Sequence, residues 1–513
     1  MRLSPQEGLA ALPIQSGVPV NYAIKILEVL VFGIAAVFVF VLVAGIFLFF
    51  LDRTQRKDAI RRNYPVIGRF RRLFSSLGEF FRQYFFAMDR EELPFNRAQR
   101  EWVNRAAEGH VNTVAFGSTR NLSVVGTPIF VNAPFPPLDD QLTEPGPVTI
   151  GHTASTPYEA PSFFNISGMS YGAISAPAVR ALSAGAQKAG IWMNTGEGGL
   201  SPFHLEGGCD IVFQIGTAKY GVCDENGDLD DQKLRKVAAH KTVRMFELKL
   251  AQGAKPGKGG ILPAEKVTKE IAGIRGIPAG QASLSPNRHR DIQSYKDLGK
   301  AVAHIREVTG KPVGIKIVVG SETDVHDMFE TFAKAGTEMV PDFITLDGGE
   351  GGTGAAPMPL IDLVGMSVRE ALPLVVRIRE EFRLQDRIRL IASGKLVNPG
   401  DVAWALAAGA DFVTSARGFM FALGCIQALK CNKNTCPTGI TTHDARLQQG
   451  LDVAHKSERV SHYAKEMLHE VEVIAHSVGV SEPKNLSPQH VRLVLPDGRS
   501  EPMDQIYFKP KKR

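Results

Sequence analysis

The chain reads as an α/β protein: a (β/α)8 TIM barrel preceded by one transmembrane helix and a membrane-proximal region. Three observations predict this. From about residue 151 to 445, short β-rich apolar runs alternate with stretches of helical periodicity. Most of the runs end in glycine-rich segments, as the ligand-facing strand ends of a barrel do. Ahead of them lies one long apolar run without a charge. The 513 residues are 44% hydrophobic and 22% charged, an ordinary composition for a globular protein with a large core. The net charge of +6 is modest and sits largely in one short segment, so nucleic acid is not an expected partner.

In chain order, residues 1–28 are a short polar tail. Residues 29–51, VLVFGIAAVFVFVLVAGIFLFFL, contain 23 residues and no charge. As a helix they reach roughly 34 Å, enough for a bilayer core of about 30 Å. The run is too long for a signal-peptide core, and no small-residue cleavage site follows it. Residues 53–72 then carry Arg53, Arg56, Lys57, Arg61, Arg62, Arg69, Arg71 and Arg72 against Asp58 alone. This asymmetry predicts a single-pass protein of the inner or cytoplasmic membrane, with the C-terminal body in the cytoplasm and the basic segment on anionic lipid. Residues 52–150 form the polybasic and membrane-proximal region, amphipathic and helical over 60–110 and rich in Pro and Thr over 113–162.

Eight strand candidates follow: 162–167, 191–194, 210–215, 245–250, 312–319, 342–346, 387–392 and 411–416. Helical stretches separate most of them, which favours the barrel over an open doubly wound sheet. Residues 446–513 are expected to be a helical extension and tail.

The strand ends carry the chemistry. Ser393-Gly394 and Ser415-Ala416-Arg417-Gly418 close the seventh and eighth strands, where barrels commonly hold a phosphate. Lys249, Lys255 and Lys316 lie on or after strands four and five. A cation there suits the pyrimidine edge of a reduced flavin. Lys316, inside the apolar GIKIVV, must either meet a cofactor or find an ion-pair partner. Three of the five cysteines, Cys425, Cys431 and Cys436, fall within one loop at Cys-x5-Cys-x4-Cys spacing. The spacing fits zinc poorly. An iron–sulfur cluster and buried thiols both remain open on spacing alone. A cytoplasmic setting makes disulfides unexpected.

Six segments, SGMSYGAIS, NTGEGG, QGAKPGKGG, DGGEGGTGAAP, GADFVTSARGFM and GCIQALKCNKNTCPTG, occur in this order. Together they closely resemble the synthase domain of glutamate synthase, and in particular the standalone, membrane-anchored FMN-binding glutamate synthase family, over about residues 60–480. The resemblance implies FMN in the barrel and a [3Fe-4S] cluster on Cys425, Cys431 and Cys436. It implies flavin contacts from Ser167, Gly168, Met169 and Ser170, and from Gln214, Lys219, Lys316, Gly348, Gly349, Ser393, Gly394, Arg417 and Gly418. It makes Lys255 and Glu197 the candidate catalytic residues, and Lys249 and Arg275 the candidate ligands of a keto acid. Two positions depart from the family pattern: Ile261 stands where a glutamine binds 2-oxoglutarate, and Lys258 replaces an acid.

The implied activity is reductive amination of 2-oxoglutarate, or a related 2-keto acid, to an amino acid. No glutaminase-type cysteine near the start and no strand–GxGxxG–helix unit are seen. Ammonia is therefore expected free or from a separate glutaminase. Electrons are expected from a ferredoxin, a reductase subunit or a membrane carrier. The competing readings are a membrane-tethered flavin and iron–sulfur electron-transfer component without amino-acid synthesis, and a barrel that has lost its cofactors.

Overall fold

The computed structural model describes residues 20–55, 59–110, 112–143 and 145–508. The chain divides into two compact units, Met1–Glu92 and Leu93–Arg513.

In the first unit, the helix Val20–Thr54 contains the stretch Ile24–Thr54, long and apolar enough to cross a membrane, the most apolar part of which is not buried within the chain. Short and amphipathic helices follow at Ala59–Asn63 and Ile67–Phe81, and a π-helical turn at Arg82–Phe86.

The second unit is built on a closed barrel of eight parallel strands. They are β1 (Phe164–Ile166), β2 (Met193–Asn194), β3 (Ile211–Ile215), β4 (Val243–Lys249), β5 (Val313–Ile317), β6 (Phe343–Asp347), β7 (Arg389–Ser393) and β8 (Phe412–Ser415). Each coincides with one of the runs picked from the sequence. The runs read as nearly continuous apolar stretches because both faces of a barrel strand are covered. Phe213, Ile215, Phe246, Leu248, Ile344, Leu346 and Leu390 join the large core shared with the surrounding helices. Inward residues form a separate small core of Trp192, Val212, Met245, Phe343, Ile391 and Phe412. A hairpin, Val148–Ile150 with Tyr158–Ala160, adds Ile150 and Tyr158 to this core.

One step of two residues further along the strands, the interior turns polar. Met245 gives way to Glu247 and then Lys249, and Phe343 to Thr345 and then Asp347. Val212 is followed by Gln214, and Phe412 by Thr414. The period-two alternation of a strand thus grades the interior from an apolar base to a polar mouth. At the base, charges are matched. Arg306 and Arg387 share the fully buried Asp342, at 2.9 and 2.6 Å, and Arg379 and Arg389 share Asp411, each at 3.2 Å.

The compact body starts at Leu93, upstream of the boundary expected at 151, because the helix Arg97–Ala107 packs on Val453–Ser477. The latter helix also lies along Ala176–Ala189, the helix that follows β1. The C-terminal segment is not only helical. Val491–Val494 and Ser500–Pro502 make a three-stranded antiparallel sheet with Pro128–Phe130.

Candidate active site

A cavity of about 860 Å³ opens at the C-terminal ends of the strands. Among its lining residues are four cations, Lys249, Lys255, Arg275 and Arg417, and one carboxylate, Glu197. Lys249 Nζ lies 2.8 Å from Glu197 Oε2 and donates to Gln252 Oε1 at 2.8 Å. Burial pushes the Glu197 carboxyl up, but Lys249, with Lys255 and Arg275 behind it, more than reverses this and holds it below its usual range.

The other two buried cations have no carboxylate partner in the described residues. Lys255 Nζ donates only to the Ala355 carbonyl, at 3.1 Å. Burial lowers its pKa to about 8, despite the attraction of Glu197. Arg275, on the helix Lys269–Arg275, is fixed by Ser283 Oγ at 3.1 Å and the Tyr171 carbonyl at 3.4 Å, with its guanidinium over the Tyr220 ring. Its buried Nε has no hydrogen-bond acceptor. The cavity wall also includes Met169, Ile174, Ile261, Leu262 and Met420. Ile261 therefore faces the cavity, whereas Lys258 is exposed outside it.

A second recess of about 520 Å³ adjoins the first, sharing Gly168, Gln214, Gln252 and Arg417. It is lined by Ser167, Lys316, Asp347, Ser393, Gly394, Lys395, Thr414 and Ser415. Lys316 resolves the choice posed by its sequence in both directions at once. It pairs with Asp347 at 3.1 Å and it faces the recess. Burial would lower Lys316, but Asp347 and Glu247 outweigh it and raise its pKa. Beneath it, Glu247 accepts hydrogen bonds from Asn194 at 2.8 Å, Gln214 at 2.6 Å and Thr345 at 2.5 Å. This network fixes the Gln214 amide at the mouth. The Thr414 hydroxyl, buried and lining the recess, has no partner. An unsatisfied buried hydroxyl beside Lys316, Lys395 and Arg417 fits the phosphate-bearing end of a ligand such as FMN.

Arg417 stands between the two spaces. Its Nη2 donates to the Thr353 carbonyl at 2.5 Å, and its Nη1 lies 3.8 Å from Cys431 Sγ. Cys431 lines the main cavity; Cys425 and Cys431 together line a further opening on the other side of the glycine loop 351–355. Cys436 is buried, 3.3 Å from the Thr438 hydroxyl. The donor chemistry of this loop fits an iron–sulfur group, although among the described residues no three His, Cys, Asp or Glu side chains are grouped to hold a metal ion. Lys266, fully buried, bridges the Cys431 carbonyl at 2.7 Å and the Ala173 carbonyl at 3.0 Å, tying the cysteine loop to the first strand end.

Most of the residues picked from sequence thus meet around one connected space. Four do not. Lys219 is turned to Asp291, at 3.0 Å, outside both cavities. Gly348 and Gly349 are tied to the Ser393 and Met366 carbonyls through their N–H groups. A Cβ at Gly418 would lie 2.1 Å from the Tyr463 hydroxyl, so that glycine is needed for packing. Glycines of the loop after Gly349 that do line the spaces are Gly351, Gly352 and Gly354, alongside Gly168, Gly196, Gly260 and Gly394 from other strand ends. Glu247, Asp347, Thr414 and Lys266 were not picked out in the sequence. The usable signal was a charged or polar residue two positions from another inward residue on a barrel strand, as in Glu247 before Lys249.

A parallel barrel with unmatched cations around a deep cavity at its strand ends defines a (β/α)8 protein that takes an anionic ligand at its mouth. Sequence comparison carries this further. The family described as "Conserved region in glutamate synthase" matches residues 140–481. The chain is 37% identical over 498 residues to the glutamate synthase large subunit-like protein YerD of Bacillus subtilis, covering 90% of this chain and 94% of that one. It is 36% identical over 331 residues to the archaeal glutamate synthase [NADPH] of Methanocaldococcus jannaschii, covering 64% of this chain and 61% of the relative's length. A solved structure of a flavocytochrome b2 mutant with benzoylformate aligns with a TM-score of 0.47 at 15% identity, covering 81% of this chain and 84% of that one. The chain belongs to the glutamate synthase family, a family of oxidoreductases.

Proposed function

We infer that the protein catalyses the reductive amination of 2-oxoglutarate or a related 2-keto acid, with FMN in the barrel mouth. The observation that carries this reading is the set of four cations against one carboxylate around the main cavity. Such an excess calls for an anionic ligand. FMN would be held by Ser167, Gln214, Lys316, Ser393, Gly394, Thr414 and Arg417. When bound, it supplies hydride transfer to an imino acid.

The chain's own residues do the rest. Arg275, pre-set by Ser283 and Tyr171, has the geometry to clamp a carboxylate. Lys249, held by Glu197 and Gln252, adds a second cation to the same cavity. Lys255, with a pKa of about 8, sits near the value at which one group both takes and gives a proton close to neutral pH. Its place in the cavity makes it the donor or acceptor for the amine of an imino intermediate. Cys425, Cys431 and Cys436 would hold the cluster that feeds electrons inward, with the donor being a ferredoxin, a reductase subunit or a membrane carrier. The helix Val20–Thr54 would anchor the protein in the cytoplasmic membrane with the barrel inside the cell. Ammonia would come free or from a separate glutaminase.

The test is anaerobic. The detergent-solubilised protein is reduced with dithionite, freed of excess, and given 2-oxoglutarate and ammonium while the flavin absorbance is followed. Reoxidation that requires both additions supports the reading, and a flavin that stays reduced with every 2-keto acid offered overturns it. The apolar wall of Ile174, Ile261 and Leu262 favours a second reading, a membrane-tethered electron-transfer component. In that case the reduced flavin is reoxidised by a one-electron acceptor and by no keto acid.

A further inference from the structure

In the first unit, the helix Ile67–Phe81 and the turn Arg82–Phe86 that follows it place Ile67, Phe70, Phe74, Leu77, Phe81 and Phe85 at three- and four-residue spacing. These six recur along one side of a helix. All are exposed, from 38% for Leu77 to 71% for Ile67. Their rings contact one another, Phe70 with Phe74 and Phe81 with Phe85, and the neighbouring exposed Phe80 and Phe86. Ser76 falls on the other side of the helix and is exposed as well.

A helix with so broad an apolar side, in so basic a segment, needs a partner that is apolar within and anionic at its edge. The entry to the helix is fixed. Asp52, at the end of Val20–Thr54 and with no exposed surface, is gripped by Arg61 at 2.5 Å and Arg69 at 2.8 Å, and accepts the Val66 N–H at 3.0 Å. One buried carboxylate therefore pins the last turn of the apolar helix, the loop and the first turn of the amphipathic helix into a rigid corner. Arg61 and Arg69 are committed to that corner. The remaining basic residues of 53–72 follow the span directly in sequence.

We propose that Ile67–Phe86 is a second membrane element, a helix lying in the plane of the leaflet where the span emerges. Its aromatic side is sunk to the acyl boundary, and its angle to the span is set by the Asp52 corner. The occupant of the apolar face is the lipid of that leaflet. The length, the aromatic and leucine content and the basic flank are those of an interfacial helix. The proposal rests on the reading of Val20–Thr54 as a span.

The experiment separates the two. The full chain is reconstituted into vesicles of phosphatidylethanolamine and phosphatidylglycerol, with p-benzoylphenylalanine replacing Phe38 in mid-span, Phe74 on the apolar side, or Ser76 on the other. After irradiation, adducts are read by mass spectrometry. The expected result is lipid adduct at positions 38 and 74, with position 74 exceeding position 76 by at least about threefold. Lipid adduct at 38 with equal, background yields at 74 and 76 overturns the in-plane helix and leaves the span intact. Adduct at 74 to protein rather than lipid also overturns it, showing the face to be a protein contact. Lipid adduct at none of the three positions removes the span reading and the proposal with it. Asp52→Asn supplies a second measure: loss of the corner should lower the lipid adduct at 74 relative to 38, and an unchanged ratio would remove the corner from the proposal.

Discussion

At the N-terminal end of the barrel, Arg306 and Arg387 meet Asp342, and Arg379 and Arg389 meet Asp411; at the C-terminal end, Lys255 and Arg275 meet no carboxylate. Both ends bury cations. The base completes each one internally, whereas the mouth leaves charge to be completed by something that binds. A buried pair broken from one side strands a charge and costs stability, while a buried cation that was never paired is already a cost to the fold. The same kind of substitution should therefore have opposite consequences at the two ends.

The largest effect is expected at the base. Asp342→Ala strands Arg306 and Arg387 and also the Val313 N–H, which donates to the same carboxylate at 2.8 Å. A loss of about 3–5 kcal/mol of stability is expected, read by urea denaturation. Little or no change would mean that the arginines relax to solvent and that the base is not the rigid half.

At the mouth the prediction reverses. Arg275→Gln should lower turnover by about 100-fold or more in the anaerobic reoxidation assay, with the melting temperature unchanged or raised. A variant that loses stability along with activity would show Arg275 to be a structural residue of the Tyr171–Ser283 cluster.

Lys255 sharpens the contrast through pH. Its pKa is about 8 in the folded protein against 10.5 for an ordinary lysine, because burial disfavours the charged form. The unfolded chain then holds more protons between these values, so stability rises with pH from about 8 to 10.5. Below 8 the penalty is present in full, about 3 kcal/mol by linkage. Buried Lys266, also lowered to about 8 by burial, contributes over the same window, so Lys255→Met should reduce the upward slope by about half and abolish the amination half-reaction. A slope left undiminished in Lys255→Met would place the perturbed group elsewhere.

Much of this contrast was legible in the sequence and part was not. The eight strands were, because runs such as MFELKL and PVGIKIVV are short, largely apolar and followed by glycine-rich segments. So was the gathering of Lys249, Lys255, Lys316 and Arg417 at one end, since each ends or follows a strand, whereas Arg275, on a helix, came only from the family resemblance. What a linear reading misses is pairing at long range. The resemblance implies a flavin contact for Lys219, which instead pairs with Asp291, 72 residues on. Glu247 was hidden in an apolar strand and recognisable only once its inward neighbours Asn194, Gln214 and Thr345 were in place. Glycines were over-read in the same way. Gly348, Gly349 and Gly418 are glycine because backbone and Tyr463 crowd them, and a ligand contact leaves the same mark in sequence. The cysteines divide similarly: the spacing put them in one loop, while their separate surroundings, Arg417 beside Cys431 and Thr438 beside Cys436, came only from the fold. If these three cysteines hold the proposed cluster, Cys431→Ser should abolish its absorbance while FMN stays bound, and a retained cluster would take Cys431 out of the ligand set.

The smallest expected effect tests what completes the mouth. Ile261 lines the cavity beside Leu262 and faces the space that Lys255 and Arg275 also border. It contributes no hydrogen bond to a ligand, and its removal strands no charge. Ile261→Gln leaves the cations as they are and adds an amide that can donate to a carboxylate. If a dicarboxylate such as 2-oxoglutarate fills this space, its affinity should rise about tenfold, the value of one well-placed hydrogen bond to a charged group, with stability nearly unchanged. If the affinity for 2-oxoglutarate falls while a keto acid with an apolar side chain still reoxidises the flavin in the parent protein, the isoleucine is the specificity element and the natural substrate carries a single carboxylate. The cations at the mouth would then divide between the phosphate of FMN and that one group, and the excess of positive charge would belong mainly to the cofactor.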